Sequence, residues 1–326
     1  EAPLELSAEP ARKKSSRGGK KSAGRENRKP PVRIIPLGGL NEIGKNMTLY
    51  ECGNDILIVD CGISFPDDEM LGVDLVIPDF SYVEKNRDRI RGLVVTHGHE
   101  DHIGAIPYLL KMVDIPVYAT KLTACLIEGK LKEHGLLGRA KLNIVEAGDT
   151  VKLGCMSVEF IHVNHSIPDA CGMAITTPAG VIVYTGDFKV DYTPIDGGMI
   201  NLSRFGELGS KGVLAMLSDS TNAERPGTTA SERTVGASFD TLFKKSGNRR
   251  VIIATFASNV HRVQQVVDAA VKYGRKVAVS GRSMVNVVAK ATEIGYLKIP
   301  EGVLIDIELI NRYPDNQLVI ITTGSQ

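Results

Sequence analysis

The chain has 326 residues, with 39 Lys and Arg against 38 Asp and Glu for a formal net charge of +1, and 43% of its residues are hydrophobic. That balance is ordinary for globular proteins and excludes wholesale disorder or a collagen-like repeat, while the length suggests about two domains. No apolar run approaches the roughly 18–20 residues that span a bilayer, which argues against an integral membrane protein and a membrane partner.

The near-neutral total hides an uneven distribution. Residues 1–31 hold nine Lys and Arg against four acids, so this segment is +5 and the remainder −4. Between Lys13 and Lys29 Ala23 is the one apolar residue, too little to offset the entropy of ordering. The segment has no apolar core of the kind a secretory signal needs. We expect residues 1–31 to form a disordered basic tail, either an inert solvated linker or a non-specific tether for phosphate backbones. The five cysteines (Cys52, Cys61, Cys125, Cys155, Cys171) contain no C-x-x-C pair. Neither a zinc ribbon nor a disulfide framework is indicated, and reduced thiols in a cytoplasmic setting fit best.

Order is expected from near Pro31. VRIIPL, MTLYE and DILIVDCG read as short strands separated by Gly and Asn. Apolar periodic stretches at 103–113 and 120–134 read as helices, and a second β-rich stretch covers roughly 143–190. The rhythm changes after about residue 225. ERTVGASFDTLFKKSG predicts a helix ending at Gly247, VIIATFA a buried strand, and NVHRVQQVVDAAVKYG a helix with Val263, Val266, Val267 and Ala270 on one face. KVAVSG, SMVNVVAKATEIG, VLIDIEL and LVIITTG continue the alternation, which predicts a parallel sheet covered on both faces. The two parts, 32–224 and 225–326, meet near AERPGTT at 223–229.

The strongest chemical signal is Thr96-His97-Gly98-His99-Glu100-Asp101-His102, between an apolar strand and an apolar helix pattern. Three imidazoles and a carboxylate crowded at a strand-to-helix turn suit zinc and related transition ions. His97 and His99 can reach one ion, while Asp101 and His102 turn toward a second. A binuclear site needs further donors, and His165 and Asp187, each following an extended apolar strand, are the best placed. A carboxylate such as Asp187 can bridge two cations. His162 competes with His165 but lies within its strand rather than after it. Asp60, ending DILIVD, can orient a metal-binding side chain from behind.

The H-x-H-x-D-H pattern, with Asp60 before it and His165 and Asp187 after it, resembles the metallo-β-lactamase superfamily. PLGGLNEIGKN, THGHEDHIGAIPYLL, NHSIPDA, YTGDFK, LSDSTNAERPG, TFASNVHR and ITTGSQ, in that order, resemble the bacterial ribonuclease J family of its β-CASP branch. The resemblance covers about 32–326. It implies an αββα metallo-β-lactamase sandwich carrying an α/β β-CASP domain, incomplete at the C-terminus because the family continues past GSQ.

It further implies two zinc ions, with manganese or magnesium as alternatives, and hydrolysis of single-stranded RNA. His97, His99 and His165 would hold one ion, Asp101 and His102 the other, and Asp187 would bridge. Asp101, Asp187 and Asp219 would serve catalysis, Asp219 by supporting the metals. Ser220, Ser258, Asn259, His261, Arg282 and Ser283 would contact RNA phosphates. The family acts as a 5′-to-3′ exonuclease favouring 5′-monophosphate ends, with endonuclease activity, in rRNA processing and mRNA decay. It forms dimers or tetramers and meets other RNA-decay proteins. Alternatives are an RNA 3′-end processing endonuclease of the same superfamily, a small-molecule metallo-hydrolase, and a non-catalytic RNA-binding protein. Small-substrate members lack the α/β segment after Asp219.

Overall fold

The computed structural model describes residues 4–6, 29–195 and 198–324. Its first sheet has seven strands in chain order: β1 (Leu4–Leu6), β2 (Val32–Gly38), β3 (Met47–Cys52), β4 (Asp55–Val59), β5 (Ile90–Val94), β6 (Pro116–Ala119) and β7 (Lys141–Ile144). The hairpin between β3 and β4 pairs Cys52 with Asp55 across Gly53-Asn54, the two-residue loop that a right-handed sheet twist favours. From β4 onward the pairs are parallel, so each connection must cross over. The crossovers carry α1 (Ser81–Lys85), α2 (Glu100–Ile103), α3 (Ile106–Met112) and α4 (Lys121–Glu133). These helices bury Val83, Ile103, Ile106, Leu109 and Ile127 against Leu49, Ile56, Ile58 and Leu93 on the outer face of the sheet.

Period-two alternation sends Tyr50, Leu57, Val59 and Val94 to the opposite face. There they pack against Val158, Phe160, Met173 and Ile182 of a second, five-stranded sheet. Its strands are β8 (Thr150–Leu153), β9 (Met156–His162), β10 (Cys171–Thr176), β11 (Val181–Tyr184) and β12 (Ala215–Leu217). Helix α5 (Leu202–Lys211) covers its outer face, with Leu208 against Ile161, Ala174 and Val183. The layers are therefore αββα, as the resemblance implies. The sequence reading did not include α5.

After an irregular stretch at 218–232 comes α6 (Arg233–Ser246), closed by Gly247. A four-stranded parallel sheet follows, built from β13 (Val251–Ala254), β14 (Lys276–Ser280), β15 (Leu304–Ile305) and β16 (Leu318–Thr322) in the order β13-β16-β14-β15. Helices α7 (Val260–Lys272) and α8 (Arg282–Glu293) connect β13 to β14 and β14 to β15. The stripe Val263, Val266, Val267 and Ala270 is buried, as the spacing predicts.

Two expectations are corrected here. VLIDIEL is not a full strand: it gives the two-residue β15 and then a 3₁₀ helix at Ile307–Arg312. The second face of the sheet is covered only in part: Ala278 and Ile320 are buried there, beside the 3₁₀ helix at Ile307–Arg312, while β13 leaves that face open. Both helical crossovers run in the same direction across the sheet, and right-handed connections then place both helices on one side. Val277, Val279, Val319 and Ile321 face those helices, whereas Ile252 of β13 is 64% exposed. In the segment expected to be a disordered tail, Leu4–Leu6 forms β1 against β2, and residues 1–3 and 7–28 lie outside the described residues.

The two units share a packed seam, where Leu122 of α4 and Ile167 join the cluster formed by α6, α7 and α8. A second close approach lies inside the αββα unit. Asn46 N–H donates to the Asp101 carbonyl (3.0 Å), Cys61 N–H to the His102 carbonyl (2.8 Å) and Ala105 N–H to the Cys61 carbonyl (3.0 Å). The chain just before β3 and the chain just after β4 are thus both laced to the start of α2. A Cβ added to Gly62 would stand 1.6 Å from the Asp101 carbonyl oxygen and 2.6 Å from the His102 nitrogen, all backbone. Gly62→Ala should therefore displace the 100–105 turn and cost about 1–3 kcal/mol or more. Urea denaturation measures it, and an unchanged midpoint would show that the close approach is not present.

Candidate metal centre

Every side chain of the centre stands where a strand ends. Asp60 follows β4, the 96–102 turn follows β5, His165 follows β9 and Asp187 follows β11. The site therefore straddles the ends of both sheets, where four loops converge. Gly186, at φ 58, makes the turn that delivers Asp187, and a Cβ added there would stand 3.1 Å from the Cys171 carbonyl oxygen and 3.2 Å from Thr96 Cβ.

Asp60 is fully buried and takes a left-handed backbone conformation at φ 59. That conformation costs an ordinary residue roughly 1–2 kcal/mol. Its carboxylate meets the difference several times over, since hydrogen bonds to a charged group are worth about 1.5–3 kcal/mol each. Thr96 N–H donates to Oδ1 (2.8 Å), Thr96 Oγ1 reaches Oδ2 (2.9 Å), and His102 Nδ1 lies 2.9 Å from Oδ2. Thr96 Oγ1 also lies 3.0 Å from His97 Nδ1. With the Thr96 hydroxyl donating to Asp60, its lone pairs accept from His97 Nδ1–H, and His102 Nδ1–H points at Asp60. Both imidazoles then present Nε2 to the centre.

Four donors gather on one side: His97, His99, His165 and Asp187 have ligand atoms all within 4.8 Å of one another. His99 Nδ1 lies 3.1 Å from both His97 Nε2 and His165 Nε2. Asp187 Oδ2 is 3.9 Å from His97 Nε2 and 3.7 Å from His165 Nε2. Asp101, His102 and Asp187 form a second group, with His102 Nε2 3.5 Å from both Asp101 Oδ2 and Asp187 Oδ1. Asp187 is the member common to both.

The electrostatics ask for cations. Burial, aided by the neighbouring imidazoles, holds His97 well below the usual histidine range and brings His99 down to about 3. Burial also lowers His165, although Asp187 pulls the other way. Three neutral rings thus aim lone pairs at one point. His102 is the exception: burial opposes its charge, but Asp60, Asp187 and Asp101 outweigh burial and raise its pKa well above 6.5. Burial likewise pushes Asp101 and Asp187 up, yet His102 holds both below the usual carboxylate range.

The donors fit zinc. A tetrahedral ion with Zn–N of about 2.0–2.1 Å sets its nitrogens roughly 3.3 Å apart, close to the 3.1 Å contacts at His99. The mixture of imidazole nitrogen and carboxylate oxygen suits the same class of ions.

Asn46 was not among the expected residues, although it lies in the GGLNEIGKN motif. Its Nδ2 is 3.1 Å from His102 Nε2 and 3.2 Å from Asp101 Oδ2. His162 stands apart, its Nε2 facing the Gly198 carbonyl at 2.9 Å. Asp219 does not join either donor group. Its N–H donates to Thr185 Oγ1 (3.0 Å), and its Oδ1 accepts from Thr221 N–H (2.9 Å) and Oγ1 (2.8 Å). Its charge still acts on His165. Ser220 is exposed beside it.

Beside His165 a cavity opens between the two units, bordered by His162, Lys189, Asp191, Glu232, His261 and Tyr296, among others. His261 thus borders the same cavity as His165. Asn259 caps α7 by accepting from Arg262 N–H (3.0 Å), and Ser258 precedes it, half-buried. Arg282 and Ser283 are exposed at the start of α8 and do not border the cavity.

Residues 40–198 match the metallo-beta-lactamase superfamily, and residues 248–326 match the family described as "Ribonuclease J, beta-CASP domain". An αββα sandwich with a His/Asp centre at the ends of both sheets is the metallo-β-lactamase class of protein. The chain is 48% identical over 301 residues to Ribonuclease J of Helicobacter pylori, covering 92% of this chain and 44% of that protein. It is 49% identical over 297 residues to Ribonuclease J of Synechocystis, covering 90% and 46%. The chain belongs to the ribonuclease J family, in the β-CASP branch of that superfamily. It spans about half the length of the curated relatives it matches. A solved structure of a protein of unknown function from Enterococcus faecalis V583 superposes with a TM-score of 0.65 at 16% identity, covering 90% of this chain and 77% of that one, and supports the fold alone.

Asp60 tests the hydrogen-bond network. Asp60→Asn keeps the shape but removes the charge facing His102. Loss of a partner behind a metal-binding histidine typically weakens metal affinity about 10–100-fold. Competition with a chromophoric zinc chelator should record a fall in that range, and wild-type affinity would remove Asp60 from the centre.

Proposed function

We propose that this chain carries the metal centre of a ribonuclease that hydrolyses RNA phosphodiester bonds, as a 5′-to-3′ exonuclease with endonuclease activity. The convergence of six donors in two groups sharing Asp187, beside a cleft between two units, carries the reading. Family membership supports RNA as the substrate, since the relatives are named ribonucleases. In this reading His97, His99 and His165 would hold one zinc ion and Asp101 and His102 the other, with Asp187 available to both. Bound there, two divalent cations supply Lewis acidity, making water acidic enough to attack at neutral pH and offsetting charge on the phosphate oxygens.

The chain's own groups do the rest. Asp60 and Thr96 hold His97 and His102 in the tautomer that directs Nε2 inward. Asn46 braces Asp101 and His102. Asp219 adds negative charge behind His165 without occupying a donor position. Lys189 and His261 border the cavity and supply positive or hydrogen-bonding edges for an RNA phosphate. A 5′-monophosphate held there, at a fixed distance from the metals, would select 5′ ends. Cleavage in line with the scissile bond would leave a 5′-phosphate on the downstream strand. Ser220, Ser258, Asn259, Arg282 and Ser283 are assigned to phosphates farther along the strand. Dimer or tetramer formation, contacts with other RNA-decay proteins, rRNA processing and mRNA decay in the cytoplasm belong to the same reading. Among the described residues no helix is long and apolar enough to cross a membrane.

The test uses RNA labelled at a 5′-monophosphate or 5′-triphosphate end, with and without chelator. Mononucleotides should be released faster from the monophosphorylated RNA. Chelation, or joint replacement of His97 and His99 by Ala, should lower the rate about 1,000-fold, equivalent to about 4 kcal/mol of barrier. Release that survives the double replacement would sink the metal assignment.

A further inference from the structure

The loops that bring His165 and Asp187 to the centre are gripped from the second unit as well as from their own sheet. Asp169, four residues after His165, sits at φ 64 with its carbonyl accepting from Thr120 Oγ1 (3.1 Å). Its Oδ2 accepts a hydrogen bond from the phenol of Tyr296, which lies just beyond α8. The other grip runs through Lys189, two residues after Asp187. Its backbone N–H donates to the Asn164 carbonyl (2.8 Å), next to His165, and its ammonium donates to Glu232 Oε2 (3.1 Å). Glu232, at the start of α6, also pairs with Arg262 of α7. Its carbonyl accepts from Gln265 Nε2 (3.0 Å) and its N–H donates to Asp191 Oδ2 (3.0 Å). One lysine thus connects both metal-binding loops to a side chain anchored on two helices of the α/β unit.

The centre is therefore ordered in two halves. Asp60, Thr96 and Asn46 arrange His97, Asp101 and His102 from within the αββα unit. The other half sits on loops that lead away from the second sheet, and a site of this kind tolerates only about 0.5 Å of misplacement. We propose that Tyr296, through Asp169, and Glu232, through Lys189, are positioning residues with which the α/β unit sets His165 and Asp187 for metal binding. Seating of that unit, including any shift as a strand of RNA enters the cleft, then changes the metal centre directly. The inference rests on the metal reading given above.

The experiment compares wild type, Tyr296→Phe, Glu232→Gln and Lys121→Ala. Lys121 Nζ donates to the Ile294 carbonyl (3.5 Å) across the same seam, so it controls for loosening of the seam in general. Zinc affinity is read by chelator competition, the cobalt-substituted centre by its visible absorption bands, and folding by urea denaturation. Tyr296→Phe and Glu232→Gln should each weaken zinc binding about 10–100-fold and move the cobalt bands. Lys121→Ala should stay within about twofold of wild type, inside the range of a remote surface change. Band positions report ligand geometry, whereas a smaller folded fraction changes only their intensity. Wild-type affinity and band positions in both variants would overturn the proposal, as would an equal loss in Lys121→Ala. A wild-type protein that takes up neither zinc nor cobalt would overturn the metal reading itself, and this inference with it.

Discussion

The Asp60 carboxylate is the point at which the first sheet becomes a site. It is buried without exposure, held in a left-handed backbone conformation, and bonded to the backbone and hydroxyl of Thr96 and to the ring of His102. A charged carboxylate at that depth is tolerable only when its lone pairs are filled. Filling them aligns the ends of β4 and β5 and directs two imidazoles toward the same space. The backbone laces between 60–63, 45–46 and 100–105 hold the same turn from the other side. Removing charge or space from this knot disturbs the ligand set before it disturbs the core.

Around that knot the charges are arranged for something absent from the polypeptide. Burial holds His97, His99 and His165 below the usual histidine range, which favours the uncharged rings that a cation needs. Against the same burial, His102 holds Asp101 and Asp187 below the usual carboxylate range. Neutral nitrogens and ionised oxygens in one concave space attract a small cation more strongly than they stabilise one another. The αββα sandwich supplies the frame, because only at the ends of two facing sheets can loops from both reach one point.

The α/β unit adds a second constraint. Helices α7 and α8 lie on one side of its sheet, and the seam against α4 and the 164–170 loop is apolar at its core, with Tyr296, Glu232 and Lys189 at its polar margin. The cleft beside His165 is therefore walled by both units. On the proposed reading, a strand of RNA entering it would meet the loops of His165 and Asp187 and the parts of the second unit that hold them.

Much of this was legible in the sequence, and the division follows range along the chain. Strands, amphipathic helices and the Thr96–His102 cluster are local patterns of two to seven residues, so periodicity and spacing reveal them. Asp60, His165 and Asp187 stand at strand ends, where alternation stops, and that position, beside the histidine cluster and the family resemblance, marked them out, with His165 preferred to His162 because His162 lies within its strand. The sequence could not say that Asn46, 55 residues from Asp101 along the chain, would lie against it, or that Tyr296 would reach Asp169 across 127 residues. Nor could it show that the parallel sheet carries α7 and α8 on the same face, since that depends on the strand order β13-β16-β14-β15. The sequence alone determined which residues could bind a metal and which elements would carry them. Only the tertiary structure decided which donors meet, which groups hold them there and which faces stay open, because those outcomes depend on how the chain packs far from each residue.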